Sequence, residues 1–260
     1  MRLYILSSKY LNAFQLKVVE PLLNSDRIRI VGVCIDNRKP KSVLQRFKRS
    51  WRKGRGGYII VAGIGELIEK FKQPINISAE HFFKTKNIPV YLTENLYTPE
   101  TINRIKSHKP DCIALVGGFG IIKEPVLTLA SQGVISYHHG DIRKYRGRPP
   151  GFWELYNNEK EMGITIQILD KGLDCGKIVL EKKIPIYPTD TWGALRQRAS
   201  EKSIDMMFGA CMLIENSNFI PKTVKERELG AIYTSPNFRK WFILQTKILW
   251  RKLKAFNKYV

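Results

Sequence analysis

The sequence predicts an α/β fold: an open, mostly parallel sheet extended by an antiparallel pair. Three observations predict it. The chain begins with a strand-helix-strand unit, which usually makes parallel pairs. Further short apolar runs then alternate with segments of helical spacing up to about residue 155. Beyond that point the period changes, and two apolar runs follow each other around a turn built from Asp and Gly.

Taken in order, "RLYILSS" reads as a first buried strand. "KYLNAFQLKVVEPLLN" has helical spacing, with Phe14, Leu16, Val18, Val19, Leu22 and Leu23 toward one side. "RIRIVGVCID" is a second strand ending at Asp36, and "GELIEKF" a short helical piece. "IPVYLTE" is a strand or extended connection. "TPETINRIKSHKP" opens on Thr98, Pro99 and Glu100, a helix cap and first turn, and stops at Pro110. "DCIALVGGFG" is a strand entering a glycine-rich turn, "EPVLTLASQ" a helix and "GVISYHH" a strand. "PPGFWELYNN" holds a short helix, and "GITIQILD" and "KIVLEKKIPIY" pair around "KGLDCG". A single long helix, capped at Thr189 or Asp190, is expected over "TDTWGALRQRASEKSIDMMFGACMLIEN". No internal repeat is present, and the first candidate boundary falls near Pro221. The expected division is residues 1–220 as one catalytic domain and 221–260 as a basic amphipathic extension.

Composition excludes several classes. With 43% hydrophobic and 26% charged residues the chain is globular, and its apolar runs are too short to cross a bilayer. "MRLYILSSKY" lacks the apolar core and cleavage site of a signal peptide. Cys34, Cys112, Cys175 and Cys211 are far apart with no CxxC pair, which argues against a metal site and for reduced thiols in the cytoplasm. The net charge of +21 is concentrated: residues 38–55 carry nine Lys or Arg and residues 238–260 seven, neither with an acid. Aromatic and aliphatic residues interleave with both sets. In 238–260 they recur at near-helical spacing, as in a basic amphipathic helix at an anionic membrane face or a helix packed on its own core.

In an open parallel sheet, ligands sit beyond the carboxyl ends of the strands. The turn over residues 117–120 and His138 lie at such ends. Asp170 and Asp174 in "DKGLDCG" read either as plain hairpin residues or as carboxylates returning over the strand end to raise and orient the imidazole. The loop with Arg143, Lys144, Arg146 and Arg148 is either a solvated basic loop or a contact for an anionic acceptor.

The combination decides between these readings. The stretch "GVISYHHGDIRKYRGRPPGFWELYNNEKEMGITIQILDKGLDCGKIV" resembles the core of the folate-dependent formyltransferases, which include glycinamide ribonucleotide transformylase, methionyl-tRNA formyltransferase and the sugar N-formyltransferases. The carriers are "YRG" at 145–147, "GITI" at 163–166 and "GLDCG" at 172–176, in the family's order and spacing. Weaker similarity extends the resemblance to about residues 85–210. It implies a formyltransferase-type Rossmann-like sheet and N10-formyltetrahydrofolate as formyl donor to a primary amine. It implies His138 as the catalytic histidine and Asp174 as the catalytic aspartate. Gly118, Phe119, Gly120, Ile121 and Ile122 would line one wall of the folate pocket, and Asp170 and Leu173 the other. His139, Arg143, Tyr145, Arg146 and Arg148 would face the acceptor. Ser136 stands where the family has a catalytic Asn, so one amide donor becomes a shorter hydroxyl. His139 stands where the family has Gly or a small residue.

The expected acceptor is an amino sugar, nucleotide- or lipid-linked and phosphorylated, with peripheral contact to the inner membrane face through 38–55 and 238–260. The alternatives are a tRNA formyltransferase or RNA-engaging protein, a formyltetrahydrofolate hydrolase, and a non-catalytic membrane-surface or RNA-binding protein. About forty residues beyond the core are too few for the tRNA enzymes' C-terminal domain. No metal is expected.

Overall fold

The computed structural model describes residues 1–39 and 76–256, together with residues 42, 44, 45, 48, 51 and 52. Most of the basic segment 38–55, and the whole of "GELIEKF", lie outside the described residues.

The centre is a seven-stranded sheet. Its strands are β1 (Arg2–Ser8), β3 (Arg29–Asp36), β5 (Val90–Thr93), β6 (Cys112–Leu115), β7 (Val134–His138), β9 (Glu161–Ile168) and β10 (Lys177–Pro185). The spatial order is β10-β9-β7-β6-β1-β3-β5. The pairs from β5 to β7 are parallel, whereas β9 runs antiparallel to both β7 and β10. This is the expected mostly parallel sheet with an antiparallel extension. Alternation along each strand divides the core. Leu3, Ile5, Val33, Ile35 and Ala114 face one side, while Tyr4, Leu6, Cys34 and Ile113 face the other. Strands buried on both faces read as continuous apolar runs, as these do.

The first face is covered by α1 (Ala13–Leu23), α5 (Trp192–Glu201) and α6 (Met206–Glu215), and the second by α3 (Pro99–Ser107). Asn12 and Gln15 form a reciprocal cap at the start of α1, and Gln15 Nε2 also donates to Val116 O at 2.9 Å. The helix is thereby tied to the loop after β6. Thr98 caps α3 through Thr101 N as expected. Three short elements were not legible: β2 (Tyr10–Leu11) and β4 (Ile77–Ser78), which pair, and α2 (Ala79–Thr85).

Two expectations are corrected. The helix over "EPVLTLASQ" is a single 3-10 turn, Val126–Thr128. Gln132 N donates to Asp111 O at 2.8 Å and Gly133 takes φ +74°, so the chain is turned back into β7 before a helix can extend. The long helix after residue 190 is two helices. The Tyr137 hydroxyl from β7 donates to Ser203 O at 2.7 Å and accepts from Met207 N at 3.1 Å. It thus takes the place of an i→i−4 backbone bond and interrupts the ladder. The cap is Thr191, whose hydroxyl accepts from Ala194 N, because Asp190 is buried in an ion pair with Arg198.

Beyond α6 the chain returns to the sheet's carboxyl end. There β11 (Ala231–Tyr233) pairs in parallel with β8 (Tyr145–Gly147), and α7 (Phe238–Phe256) packs on α4 (Phe152–Tyr156). Leu244 and Ile248 of α7 are buried, while Phe238, Phe242, Leu249, Trp250 and Leu253 are exposed. No described helix is long and apolar enough to cross a membrane.

Candidate active site

His138 is the last residue of β7, and its neighbour across the sheet is Thr165 of β9. Strands β9 and β10 enclose the turn that carries Asp174, so the hairpin returns over the end of β7. Asp174 Oδ2 lies 3.4 Å from His138 Nδ1. The same oxygen accepts from Gly147 N at 2.7 Å, and Oδ1 accepts from Gln167 Nε2 at 3.2 Å. Gln167 Oε1 in turn accepts from Gly176 N at 3.0 Å, which locks the turn to its own strand. Arg146 makes the second lock, donating through Nε and Nη2 to Leu173 O at 2.9 and 2.7 Å. Asp174 adopts φ +47°, an uncommon conformation that this bonding holds in place.

Gly147 shows why a glycine ends the "YRG" strand. It has φ +89°, and a Cβ there would stand 2.1 Å from Tyr233 O. Any side chain would push β11 off β8.

The other nitrogen of His138, Nε2, is 2.7 Å from Tyr145 O. A carbonyl only accepts, so Nε2 carries a proton, and Nδ1 facing a carboxylate favours one as well. Burial disfavours the imidazolium, but the hydrogen bond and charge of Asp174, with the Tyr145 carbonyl, outweigh it and raise the His138 pKa above its usual value. Burial also opposes the Asp174 carboxylate, yet His138, Gly147 N and Gln167 together hold its pKa below the ordinary range. The arrangement is a cationic donor held by an anion, the form suited to stabilising negative charge on a carbonyl oxygen.

Ser136 shares the His138 face of β7 and sits opposite Gln167, with its hydroxyl 3.4 Å from Tyr137 O. His139 projects to the other face. Its ring stacks on Tyr137 at 5.5 Å, meets Phe14 edge-on and bonds Ser203 Oγ at 3.3 Å. Burial, with His138 and Arg196 nearby, depresses its pKa to about 4. The structure therefore packs the His139 ring against Tyr137 and Phe14, although it also borders the cleft at His138.

The basic loop separates in the same way. Arg143 is bound by Asp141 and Glu181, and Lys144 by Glu159. Arg146 is spent on Leu173 O. Tyr145 is buried, its hydroxyl donating to Glu159 and accepting from Asn157. Arg148 is exposed, lacks a carboxylate partner among the described residues, and borders the cleft at His138.

On the β6 side, Phe119 and Ile122 are buried, Phe119 N donates to Asp36 Oδ2 at 2.7 Å, and Ile121 is 61% exposed. Gly118 at φ +74° passes so close to Ser7 O that a Cβ would sit 2.8 Å from it, whereas the space above Gly120 is open. Leu169 packs against the Phe119 cluster and leads into the turn carrying Asp170, which is exposed, and Leu173, which is half-buried. Glu154, Gln167 and Tyr233 are the site residues the sequence did not reveal. Gln167 and Tyr233 read as ordinary strand residues, and Glu154 as the polar member of a short helix. Among the described residues, no group of three or more His, Cys, Asp or Glu is placed to hold a metal ion.

Comparisons with known proteins agree with this geometry. The chain is 32% identical over 197 residues to the methionyl-tRNA formyltransferase of Dictyoglomus thermophilum, covering 75% of this chain and 54% of that protein. The chain spans about half the length of the curated relatives it matches. Among solved structures, glycinamide ribonucleotide transformylase 1 from Symbiobacterium toebii superposes with a TM-score of 0.57 at 16% identity, over 86% of this chain and 94% of that one. A sugar N-formyltransferase from a Shewanella species superposes with a TM-score of 0.60 at 15% identity, over 95% and 87%. These structures share the fold. The family model described as formyl transferase matches residues 40–210, a span that contains both walls of the cleft and the His138–Asp174 pair, and on that match the chain belongs to the formyl transferase family.

Proposed function

We propose that the chain is an N-formyltransferase that moves a formyl group from N10-formyltetrahydrofolate to a primary amine of an amino sugar, nucleotide- or lipid-linked. The observation that carries the reading is the imidazolium–carboxylate contact of His138 and Asp174 at the carboxyl end of β7. Family membership gives that contact its chemistry. The β6 loop fits the donor: the open backbone at Gly120 and the exposed Ile121 offer an apolar wall for a flat ring, opposite Asp170 and Leu173. When bound, N10-formyltetrahydrofolate supplies the formyl carbon and a nitrogen leaving group.

The chain's own residues do the rest. His138 exchanges its Tyr145 acceptor for the formyl oxygen and donates a hydrogen bond as negative charge grows there. Asp174 keeps the imidazole protonated and oriented, and accepts a proton from the attacking amine, directly or through water. Ser136 supplies the neighbouring hydroxyl donor. Arg148, exposed beside this pair, receives an acidic group of the acceptor.

The amino-sugar acceptor takes its support from the exposed Arg148 beside His138 and from a fold neighbour. The fold neighbours include a protein described as an N-formyltransferase in complex with folinic acid and dTDP-3-aminofucose. The tRNA reading keeps in its favour the relatives of about 30% identity, which are methionyl-tRNA formyltransferases. Residues 1–220 form the catalytic unit in this proposal, and 221–260 an extension whose exposed apolar stripe and cations bring it to an anionic membrane face in the cytoplasm.

The test is a panel of amine acceptors incubated with the full chain and N10-formyltetrahydrofolate, read by mass. Gain of one formyl group on an amino sugar supports the proposal. Formylation of methionyl-tRNA alone would replace the acceptor, and formate release without any formylated amine would replace transfer by hydrolysis.

A further inference from the structure

Glu154 is a buried acid with no part in the His138–Asp174 contact. It stands in the first turn of α4, is 3% exposed, and lines the same cleft as His138, Arg148 and Tyr233. Four cations of neighbouring elements are engaged elsewhere. Arg143 is held by two carboxylates, Lys144 by Glu159 and Arg146 by a carbonyl, while Lys240 lies over the Trp153 ring. A buried carboxylate is costly to ionise, and the amides at the start of α4 and the charge of His138 offset only part of that cost for Glu154. Burial raises its pKa to about 7, and Glu159 adds to this, against the amides of Gly151 and Glu154 and the charge of His138. A residue that served only to close the start of a short helix would do so as well from a solvated position.

We propose that Glu154 receives the ammonium group of the acceptor and takes its proton, so that the cleft holds the acceptor at two ends, the amine on Glu154 and an acidic group on Arg148. This deepens the transferase reading and rests on it for the chemistry. One N–H bond of the ammonium breaks and one O–H bond forms on Glu154, with no change in the net charge of the pair. The freed lone pair is then available to attack the formyl carbon. The groups that line the cleft with Glu154 are His138 of β7 and His139 after it, Tyr145 and Arg146 of β8, Arg148 after it and Tyr233 of β11, and the charge of Glu159 reaches it from beyond α4.

The experiment is calorimetric binding of glucosamine 1-phosphate and N-acetylglucosamine 1-phosphate to the full chain and to Glu154→Gln. Glutamine retains an oxygen for the helix end but loses the charge. The intact chain is expected to prefer the free amine by about tenfold at pH 8, a difference of about 1.4 kcal/mol. The preference should fade as the pH drops through about 7, where Glu154 protonates. Glu154→Gln should bind both probes alike, with 5-formyltetrahydrofolate binding unchanged. An undiminished preference in Glu154→Gln, or no binding of either probe by the intact chain, would overturn the proposal. A Glu154-dependent preference in a chain that transfers no formyl group would instead sink the transferase reading alone.

Discussion

His138 and His139 are adjacent and chemically identical, and their surroundings make them opposites. The β-strand sends one ring to the carboxylate of Asp174 and the other into Tyr137 and Phe14. One pKa rises and the other falls to about 4. An imidazole becomes a cationic donor where a carboxylate and a carbonyl face it, and a neutral packing ring where burial and nearby positive charge outweigh a single hydroxyl partner.

The largest effect expected from breaking this contrast is on turnover. His138→Ala and Asp174→Asn should each lower formyl transfer by about 10²- to 10⁴-fold, the usual worth of a positioned acid–base group. Circular dichroism of both variants should match the parent. His139→Phe should keep transfer within a few-fold, because the aromatic stack survives. A loss for His139→Phe as large as that for His138→Ala would erase the distinction between the two faces.

A smaller effect is expected at Ser136. Ser136→Asn should hold or raise turnover, since the longer amide adds a donor on the His138 face. Loss of activity in that variant would show a site organised differently from its relatives.

Stability should follow pH in a defined window. The raised pKa of His138 contributes stability that is complete below the unfolded value of about 6.5 and lost as pH rises through the folded one. The lowered pKa of Asp174 contributes stability present above about 3.9 and lost as pH falls through its folded value. Denaturant midpoints should therefore differ most between the parent and Asp174→Asn from about pH 4 to 6.5. A difference that does not vary with pH would mean that the contact is not ionic.

The smallest expected effect concerns α7, which also has two faces. Leu244 and Ile248 are buried, and Phe242, Leu249 and Leu253 are exposed among cations. Co-sedimentation with anionic vesicles should weaken in a chain ending at Asn237 and fall with salt, since each cation near the leaflet contributes only about 1 kcal/mol. Equal binding by both chains, or tighter binding to RNA, would leave α7 a packing helix.

The strands and the main motifs were legible in the sequence because they are local. Runs such as "LYIL" declare a strand buried on both faces, and "YRG" and "GLDCG" end on Gly147 and Gly176, where a side chain would meet backbone. What the sequence withheld depends on contacts from afar. Nothing near residue 203 announces that Tyr137, far upstream, will split the helix there. Arg143 and Arg146 look like Arg148 in the sequence, and only the fold supplies Asp141, Glu181 and Leu173 O as their partners. Glu154 stayed hidden because the cleft that encloses it is lined by His138 of β7 and Tyr233 of β11, which reach α4 only in three dimensions.

The most direct test of the central claim is a nuclear magnetic resonance titration of the two histidines in the parent and in Asp174→Asn. His138 should titrate above 6.5 and His139 near 4, and Asp174→Asn should lower the His138 value while leaving His139 in place. Two rings titrating together near 6.5, or a His138 indifferent to the loss of the Asp174 charge, would contradict it.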